Sequence, residues 1–185
     1  MKMKRFVAMA GIVAMIAVGA GCANEQEKET VENRETTESQ ETVVNTKLAE
    51  FVGEKYTAED GSVIYFEDDG AFVWYQSDEN HEDNYYSGEY TFYFAEEAVD
   101  YIVNDLTQFG VTQDEMEAYF DRNKGDELYN EENFCCMVLN NKLVMMDGQK
   151  TESDSMLSYY MGFYADGYFD AANMSTGNYI GFTKN

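Results

Sequence analysis

Residues 62–76 read SVIYFEDDGAFVWYQ, and this stretch decides the fold. Two runs rich in β-branched and aromatic residues, 62–67 and 71–76, flank the dipeptide Asp69-Gly70. Asp-Gly between two such runs is a strong local signal for an antiparallel hairpin, because both residues tolerate the positive φ that a tight turn needs. The stretch therefore predicts a sheet built from short strands and short connections.

Runs of the same kind recur on both sides of this hairpin. Glu54 to Ala58 predicts a strand before it, and Tyr85 to Phe94 predicts a longer one after it, with Gly88 as a β-bulge. Further strands are expected at 134–139, 143–147, 156–165, 168–172 and 179–183, the first two joined by a turn at Asn140-Asn141-Lys142. The predicted fold is mainly β (α+β): an antiparallel curled sheet or a small barrel.

A helical period interrupts the strands between 95 and 125. Apolar residues recur at helical spacing and Gly110 follows them; the set is Ala98, Val99, Ile102, Val103, Leu106 and Phe109. Thr112 and Glu115 have the spacing of a capping box that opens a second helix. These patterns predict an αα-hairpin inserted between two strands.

The first 21 residues have the pattern of a secretory signal peptide. A positive segment ends at Arg5, an apolar run covers 6–20, and Gly19-Ala20-Gly21-Cys22 follows. This ending resembles the lipobox of bacterial lipoproteins, in which the cysteine, here Cys22, becomes the lipidated first residue of the mature chain. Gly19 departs from the aliphatic residue usual in that family, which leaves cleavage with free secretion as the alternative.

Residues 22–46 are rich in Glu, Thr, Asn and Gln and have few apolar side chains. Such a segment buries too little surface to fold, so it predicts a disordered acidic tether behind Cys22. The expected organisation is a signal peptide (1–21), the lipidated cysteine with its tether (22–46), and one β-rich extracytoplasmic domain (47–185). The expected location is the outer face of the cell membrane in a Gram-positive envelope, held by the lipid on Cys22.

Two segments carry a second resemblance. Asp83 to Tyr90 (DNYYSGEY) and Tyr101 to Leu106 (YIVNDL) are similar to a recurring envelope domain of Gram-positive lipoproteins and membrane proteins. The expected architecture also resembles lipocalin-like domains in its number of strands. Neither resemblance implies an activity or a set of functional residues.

Charge narrows the range of partners. The chain has 36 acidic and 12 basic residues, a formal net charge of −24. Nucleic-acid binding is not expected, because phosphates need a clustered basic surface. The adjacent cysteines 135 and 136 cannot form an ordinary disulfide and are interpreted as small buried residues.

Paired aromatic residues are the main candidate binding feature. Neighbours on a strand point to opposite faces, so pairs of rings place aromatic surface on more than one face. Rings provide large contact area at little entropic cost, and they stack against sugars and peptides. The candidate ligand-binding residues, for a glycan, a peptide or a protein partner, are Trp74, Tyr75, Tyr85, Tyr86, Tyr159 and Tyr160.

One acidic stretch partly matches a calcium-binding loop. Residues 121–132 place oxygen-bearing side chains at spacings similar to those of such a loop, and the candidate ligands are Asp121, Asn123, Asp126 and Glu132. The match fails at the centre, where Gly125-Asp126 inverts the usual order, and no helix follows. Calcium is the one cofactor that the sequence raises.

No catalytic motif is recognisable. His81 is the single histidine and lies in an acidic stretch, which we interpret as a solvated loop and not as a catalytic or metal site. A non-catalytic binding or interaction module is therefore favoured. The alternative is a hydrolase that acts on a cell-wall or extracellular polymer through two carboxylates, whose separation a sequence cannot show.

The lipid anchor on Cys22 gives the first prediction. Cys22→Ala removes the acceptor for the acyl chains, each buried methylene of which stabilises membrane association by about 0.8 kcal/mol. We expect the variant to leave the membrane fraction when cells are separated into membrane and soluble material. Retention in the membrane at the wild-type level would show instead that residues 6–20 act as an uncleaved anchor.

Overall fold

The computed structural model describes residues 47–185. The leader, Cys22 and the acidic tether lie outside the described residues. Among residues 47–185, no helix is both long enough and apolar enough to span a membrane. The strands of this region are β1 Lys55–Ala58, β2 Val63–Phe66, β3 Ala71–Tyr75, β4 Tyr85–Phe94, β5 Phe134–Met146, β6 Gln149–Glu152, β7 Leu157–Ala165, β8 Tyr168–Asn173 and β9 Tyr179–Lys184.

Eight of these strands close into an antiparallel barrel. The order around the wall is β1-β2-β3-β4-β5-β7-β8-β9, and β9 pairs back with β1. β6 stands outside the ring and pairs with the last residues of β5, Leu143 to Met146. The predicted mainly β fold, with a small antiparallel barrel, is confirmed, and its strand number is lipocalin-like.

The seam between β4 and β5 closes the barrel. It runs through ten residue pairs from Tyr85↔Met145 to Phe94↔Cys135, with a register shift between Ser87 and Gly88. The irregularity expected at Gly88 is present, but the extra residue is on the opposite strand: Ser87 pairs with Leu143 and Gly88 with Asn141, so Lys142 of β5 has no partner residue in β4. A Cβ atom at Gly88 would lie 1.9 Å from the carbonyl oxygen of Asn140, so this position needs glycine because the two backbones approach closely.

Aromatic rings fill the barrel and close one of its ends. Residues 47–51 are helical and place Phe51, which is fully buried, beneath the end where β2 and β4 finish. The Phe51 ring lies 4.2 Å from that of Phe92 and 4.3 Å from that of Tyr164, between centroids. Gly53 N donates to the Phe66 carbonyl at 2.7 Å, which ties this segment to the barrel wall.

The helical insertion between β4 and β5 covers part of the outer wall. It comprises α1 (Ala95–Asp100), a π-helical turn (Tyr101–Asp105), a 3-10 turn (Thr107–Phe109) and α2 (Gln113–Arg122). The predicted αα-hairpin is therefore present, although its first helix changes hydrogen-bonding pattern along its length. Thr112 and Glu115 form the predicted capping box. A second apolar core lies beneath this insertion, against β5, β7 and β8.

β5 divides its side chains between the two cores. Cys135, Met137 and Leu139 point into the barrel, whereas Cys136 and Val138 point toward the helical insertion. Both cysteines are free and buried, as their interpretation as small core residues requires. Because both faces of this part of the strand are covered, Phe134 to Leu139 form a continuous apolar run without alternation.

The predicted turn at Asn140-Asn141-Lys142 is wrong. β5 runs without a break from Phe134 to Met146, because β4 pairs along its whole length. Asn141 Nδ2 donates to Met156 O at 2.9 Å and to Ser158 Oγ at 3.1 Å, so the amide is held by the neighbouring strand. The hairpin turn lies instead at Asp147-Gly148, both with positive φ, and leads into β6, which the sequence patterns missed.

The close approach at the bulge gives the second prediction. Gly88→Ala forces the Asn140 carbonyl away and should lower the free energy of unfolding by about 1–3 kcal/mol, as overpacking does. Urea denaturation followed by fluorescence measures it. The control is Ser87→Ala, at the adjacent position, which should stay within about 0.5 kcal/mol of wild type. Equal stability of the two variants would contradict the seam geometry.

Candidate ligand-binding cavity

The end of the barrel opposite Phe51 holds a cavity of ≈ 640 Å³. It is formed where β3 and β8 finish and where β4, β7 and β9 begin. Its volume lies within the range of small-molecule sites in proteins, about 300–1,000 Å³. Aromatic side chains therefore close one end of the barrel, and the cavity opens at the other end, which we call the mouth.

Aromatic and aliphatic side chains form much of the cavity wall. Trp74 is buried, whereas Tyr86 and Tyr160 are half-buried. The Trp74 ring centroid lies 6.3 Å from that of Tyr86 and 5.9 Å from that of Tyr160, with the planes inclined by 56° and 60°. The remaining apolar lining residues are Leu139, Met156 and Ile180, and Tyr179 contributes to the edge of the cavity although its ring packs in the outer core beneath the insertion.

Polar groups with defined partners complete the wall. Trp74 Nε1 donates to Ser62 Oγ at 3.0 Å, and Asp60 Oδ1 accepts from Ser62 N at 2.9 Å. Asn173 Oδ1 accepts from the backbone amides of Ser175 and Thr176, both at 3.0 Å, and fixes the turn at the mouth. The other polar lining residues are Gln76, Asn141, Ser158 and Asn178.

The six aromatic candidates from the sequence do not form one surface. Each adjacent pair is split by the barrel wall, because neighbours on a strand point to opposite sides. The inward members Trp74, Tyr86 and Tyr160 come together in the cavity, from three different strands. Tyr159 lies on the outer side beneath the insertion, where its ring meets that of Phe109 at 5.7 Å.

Tyr75 and Tyr85 belong to a row of rings on the outer wall. Tyr75 lies 6.1 Å from Tyr65 and 5.8 Å from Tyr85, between ring centroids. His81 stacks on Tyr75 at 3.9 Å and its Nε2 atom lies 3.6 Å from Asp78 Oδ1. These contacts explain the outer rings as cross-strand packing, and they also account for the single histidine.

The four predicted calcium ligands are spread over several local structures. Asp121 is near the end of α2, and the Asn123 side chain donates to Tyr119 O at 2.8 Å. Asp126 Oδ1 accepts from the backbone amides of Leu128 and Tyr129, and Glu132 lies in a 3-10 turn. In the described part of the chain, no group of three or more His, Cys, Asp or Glu residues could hold a metal ion. Calcium binding stays a prediction.

The groups that catalysis would use lie apart from one another. Among the described residues lining the cavity, the one carboxylate is Asp60, and hydrolysis by paired acids needs a second. Burial raises the pKa of both thiols, that of Cys136 to about 12, so neither is a thiolate nucleophile at neutral pH. This cavity therefore supplies no pair of carboxylates for the alternative function as a hydrolase.

Asp170 is a partly buried carboxylate on the outer side of β8. Tyr129 Oη donates to its Oδ2 at 2.9 Å, and burial raises the pKa of Asp170 above its ordinary value of 3.8 in spite of this bond. The hydroxyls of Tyr119 and Tyr179 are also buried and have no hydrogen-bond partner. Asp170 faces this layer of tyrosines, so it is separated from the cavity by the barrel wall.

Comparisons with protein-family models, with curated protein sequences and with solved structures found no match. The support for the candidate site therefore comes from its geometry. The similarity of 83–90 and 101–106 to Gram-positive envelope domains stays a prediction.

Three of the six predicted aromatic residues line the cavity, and none of its polar lining residues was predicted. Asn141, Ser158 and Asn173 reach the cavity from three strands, and no local pattern distinguishes them from turn residues. For Asn141 one signal was present: the polar triplet 140–142 lies between two apolar runs. An amide there predicts a buried polar group with a partner, which is how the structure uses it.

The burial of Asp170 gives the third prediction. Because its folded pKa lies above the unfolded value, its stability contribution is greatest below pH 3.8 and is lost as the pH rises through the folded pKa. Asp170→Asn keeps an oxygen that accepts from Tyr129 and removes the charge. In urea denaturation we expect the variant to gain stability relative to wild type between pH 4 and pH 7. The exposed control Asp154→Asn should show no such trend, and an Asp170→Asn deficit independent of pH would contradict the prediction.

Proposed function

We propose that this chain is a lipid-anchored binding protein of the bacterial cell envelope that takes its ligand into the open end of the barrel. The observation that carries the proposal is the cavity, in which Trp74, Tyr86 and Tyr160 lie beside polar groups with fixed partners. Small-molecule sites are usually preformed and concave, with polar atoms placed among apolar surface; here polar and apolar residues share the lining about equally.

The asymmetry of the barrel supports binding at this end. Phe51 and the rings around it fill the opposite end with a buried hydrophobic cluster. A wall closed by hydrogen bonds on both sides of every strand holds the three cavity rings in place without ligand. Such preorganisation lowers the entropic cost of binding.

The support for the lipid anchor comes from the sequence. The lipobox-like ending at Cys22 and the acidic segment 22–46 support a domain held near the outer face of the membrane. A tether of this kind would leave the barrel free to meet ligands of the envelope, whether these are free molecules or groups on a glycan, a peptide or a protein.

Trp74 supplies the test, because it is the single tryptophan of the chain and it lines the cavity. The full chain is titrated with N-acetylglucosamine, choline and a lysine-containing peptide while the tryptophan emission is recorded. We expect at least one probe to change the emission in a saturable way and to raise the melting temperature.

A matched pair of variants locates the binding. Ile180→Phe adds a ring inside the cavity and should weaken binding of that probe by about tenfold or more. The reason is that the added ring overpacks the space that the probe occupies. Val73→Phe adds the same ring on the outer side of β3 and should leave the affinity unchanged. Binding that Val73→Phe weakens and Ile180→Phe does not, or no response to any probe, would overturn the proposal. Chain-dependent cleavage of a glycan or peptide would support the hydrolase instead.

A further inference from the structure

We propose that the cavity selects an organic ammonium cation, held against the rings of Trp74, Tyr86 and Tyr160 with the carboxylate of Asp60 at the mouth. The inference rests on the proposed function and names the ligand class of the same site. It follows from two features: the aromatic rings that line the cavity and the charge around it.

The nitrogen donors of the cavity wall are used within the wall. The indole N–H of Trp74 is taken by Ser62 Oγ, and both amide hydrogens of Asn141 are taken by Met156 O and Ser158 Oγ. What Asn141 has left is its carbonyl oxygen, which only accepts. The hydroxyl groups of Tyr86, Ser158 and Tyr160 also line the cavity, and each can donate and accept.

Cations and sugars make different demands on these groups. A saccharide presents hydroxyls that donate and accept, so its burial leaves acceptor oxygens in need of protein donors. An alkylammonium group either donates only or, when fully methylated, needs no hydrogen bond. The hydroxyl groups and the Asn141 oxygen can accept from an ammonium group, so hydrogen bonding permits a cation, and the aromatic rings and the charge favour it.

The aromatic faces supply the attraction that a desolvated cation needs. With its N–H bound to Ser62, Trp74 can offer the cavity its π face, and the rings of Tyr86 and Tyr160 are inclined to it at about 6 Å. A cation within about 6 Å of such ring centroids is stabilised by the ring quadrupole, most strongly by tryptophan. Several inclined rings act on one cation together.

The charges around the mouth have the matching sign. Among the described residues that line the cavity, none is Lys, Arg or His, and Asp60 carries negative charge. The chain as a whole has a formal net charge of −24, which raises the local concentration of cations. An anionic ligand would meet repulsion from Asp60 and no compensating positive charge in the lining, so carboxylates and phosphates are disfavoured.

The decisive experiment compares choline with its neutral isostere, in which carbon replaces the ammonium nitrogen. Emission of Trp74 is titrated in the full chain with each compound at low and high salt, and with N-acetylglucosamine. We expect choline to bind more tightly than the isostere, and its affinity alone to fall as salt rises. A lysine amide serves as a second arm, which distinguishes a free quaternary ammonium from a peptide side chain as the source.

Variants assign the binding to the named groups. Tyr86→Leu removes a ring and should weaken choline binding roughly threefold to tenfold. Asp60→Asn keeps the oxygen bound to Ser62 N and should weaken it roughly twofold to fivefold and flatten the salt dependence. The control Tyr75→Leu removes a ring of the outer row and should leave the affinity unchanged.

The outcomes separate this inference from the proposed function. If the isostere or the sugar binds as tightly as choline and Ile180→Phe still blocks it, the cavity is a binding site and the cation inference is wrong. If no compound changes the emission, both fail. If choline binds but Tyr86→Leu and Asp60→Asn are silent, the cation is held elsewhere, and the inference is overturned.

Discussion

The pairing of β4 with β5 is the constraint on which the rest of the structure depends. Without it the strands would form an open sheet with two long edges, one of them the ten-residue β4. With it, every strand of the ring has a neighbour on both sides, and the inward side chains are enclosed. The pairing joins strands separated by the whole helical insertion, so it is a non-local contact that forms against the entropy of a long loop. Gly88 permits it, because the Asn140 carbonyl occupies the space of a side chain.

The helical insertion, which separates β4 from β5 in the sequence, also explains the high aromatic content of the chain. It covers the outer face of β5, β7 and β8, so these strands have two apolar sides, and the chain needs rings for both cores. Pairs such as Tyr159-Tyr160 then divide: one ring packs under the insertion, and the other faces the cavity. What looks in the sequence like an excess of exposed aromatic surface is mainly the consequence of a wall with a core on each side.

Patterns among neighbouring residues predicted most of the strands, helices and turns. Pairing between strands that are distant in the sequence could not be predicted in this way. The Asp69-Gly70 turn, the irregularity at Gly88 and the Thr112 capping box depend on neighbours in sequence, and each was predicted at its position, although the extra residue of the bulge is on β5. The failure at Asn140-Asn141-Lys142 has a different origin: polar residues there continue a strand because β4 lies alongside. β6 was missed because its residues, Gln149 to Glu152, are all exposed and carry no apolar pattern, although Asp147-Gly148 before them was a turn signal.

The cavity is the clearest case of information that only the folded chain contains. Its three central rings come from positions 74, 86 and 160, and nothing local indicates that they meet. Their meeting follows from register: Trp74 pairs with Tyr86 across β3 and β4, and Tyr160 enters from β7 through the enclosed interior. The same register brings Ser62 beside the indole N–H and Ser158 beside the Asn141 amide, and these partners accept the nitrogen donors of the wall. Which groups remain for a ligand is thus set by strand pairing, because each hydrogen bond within the wall removes a donor from the cavity. A barrel closed by this seam leaves aromatic rings, hydroxyl groups and the Asn141 oxygen in its cavity, and none of these could be assigned to one site before the strands were paired.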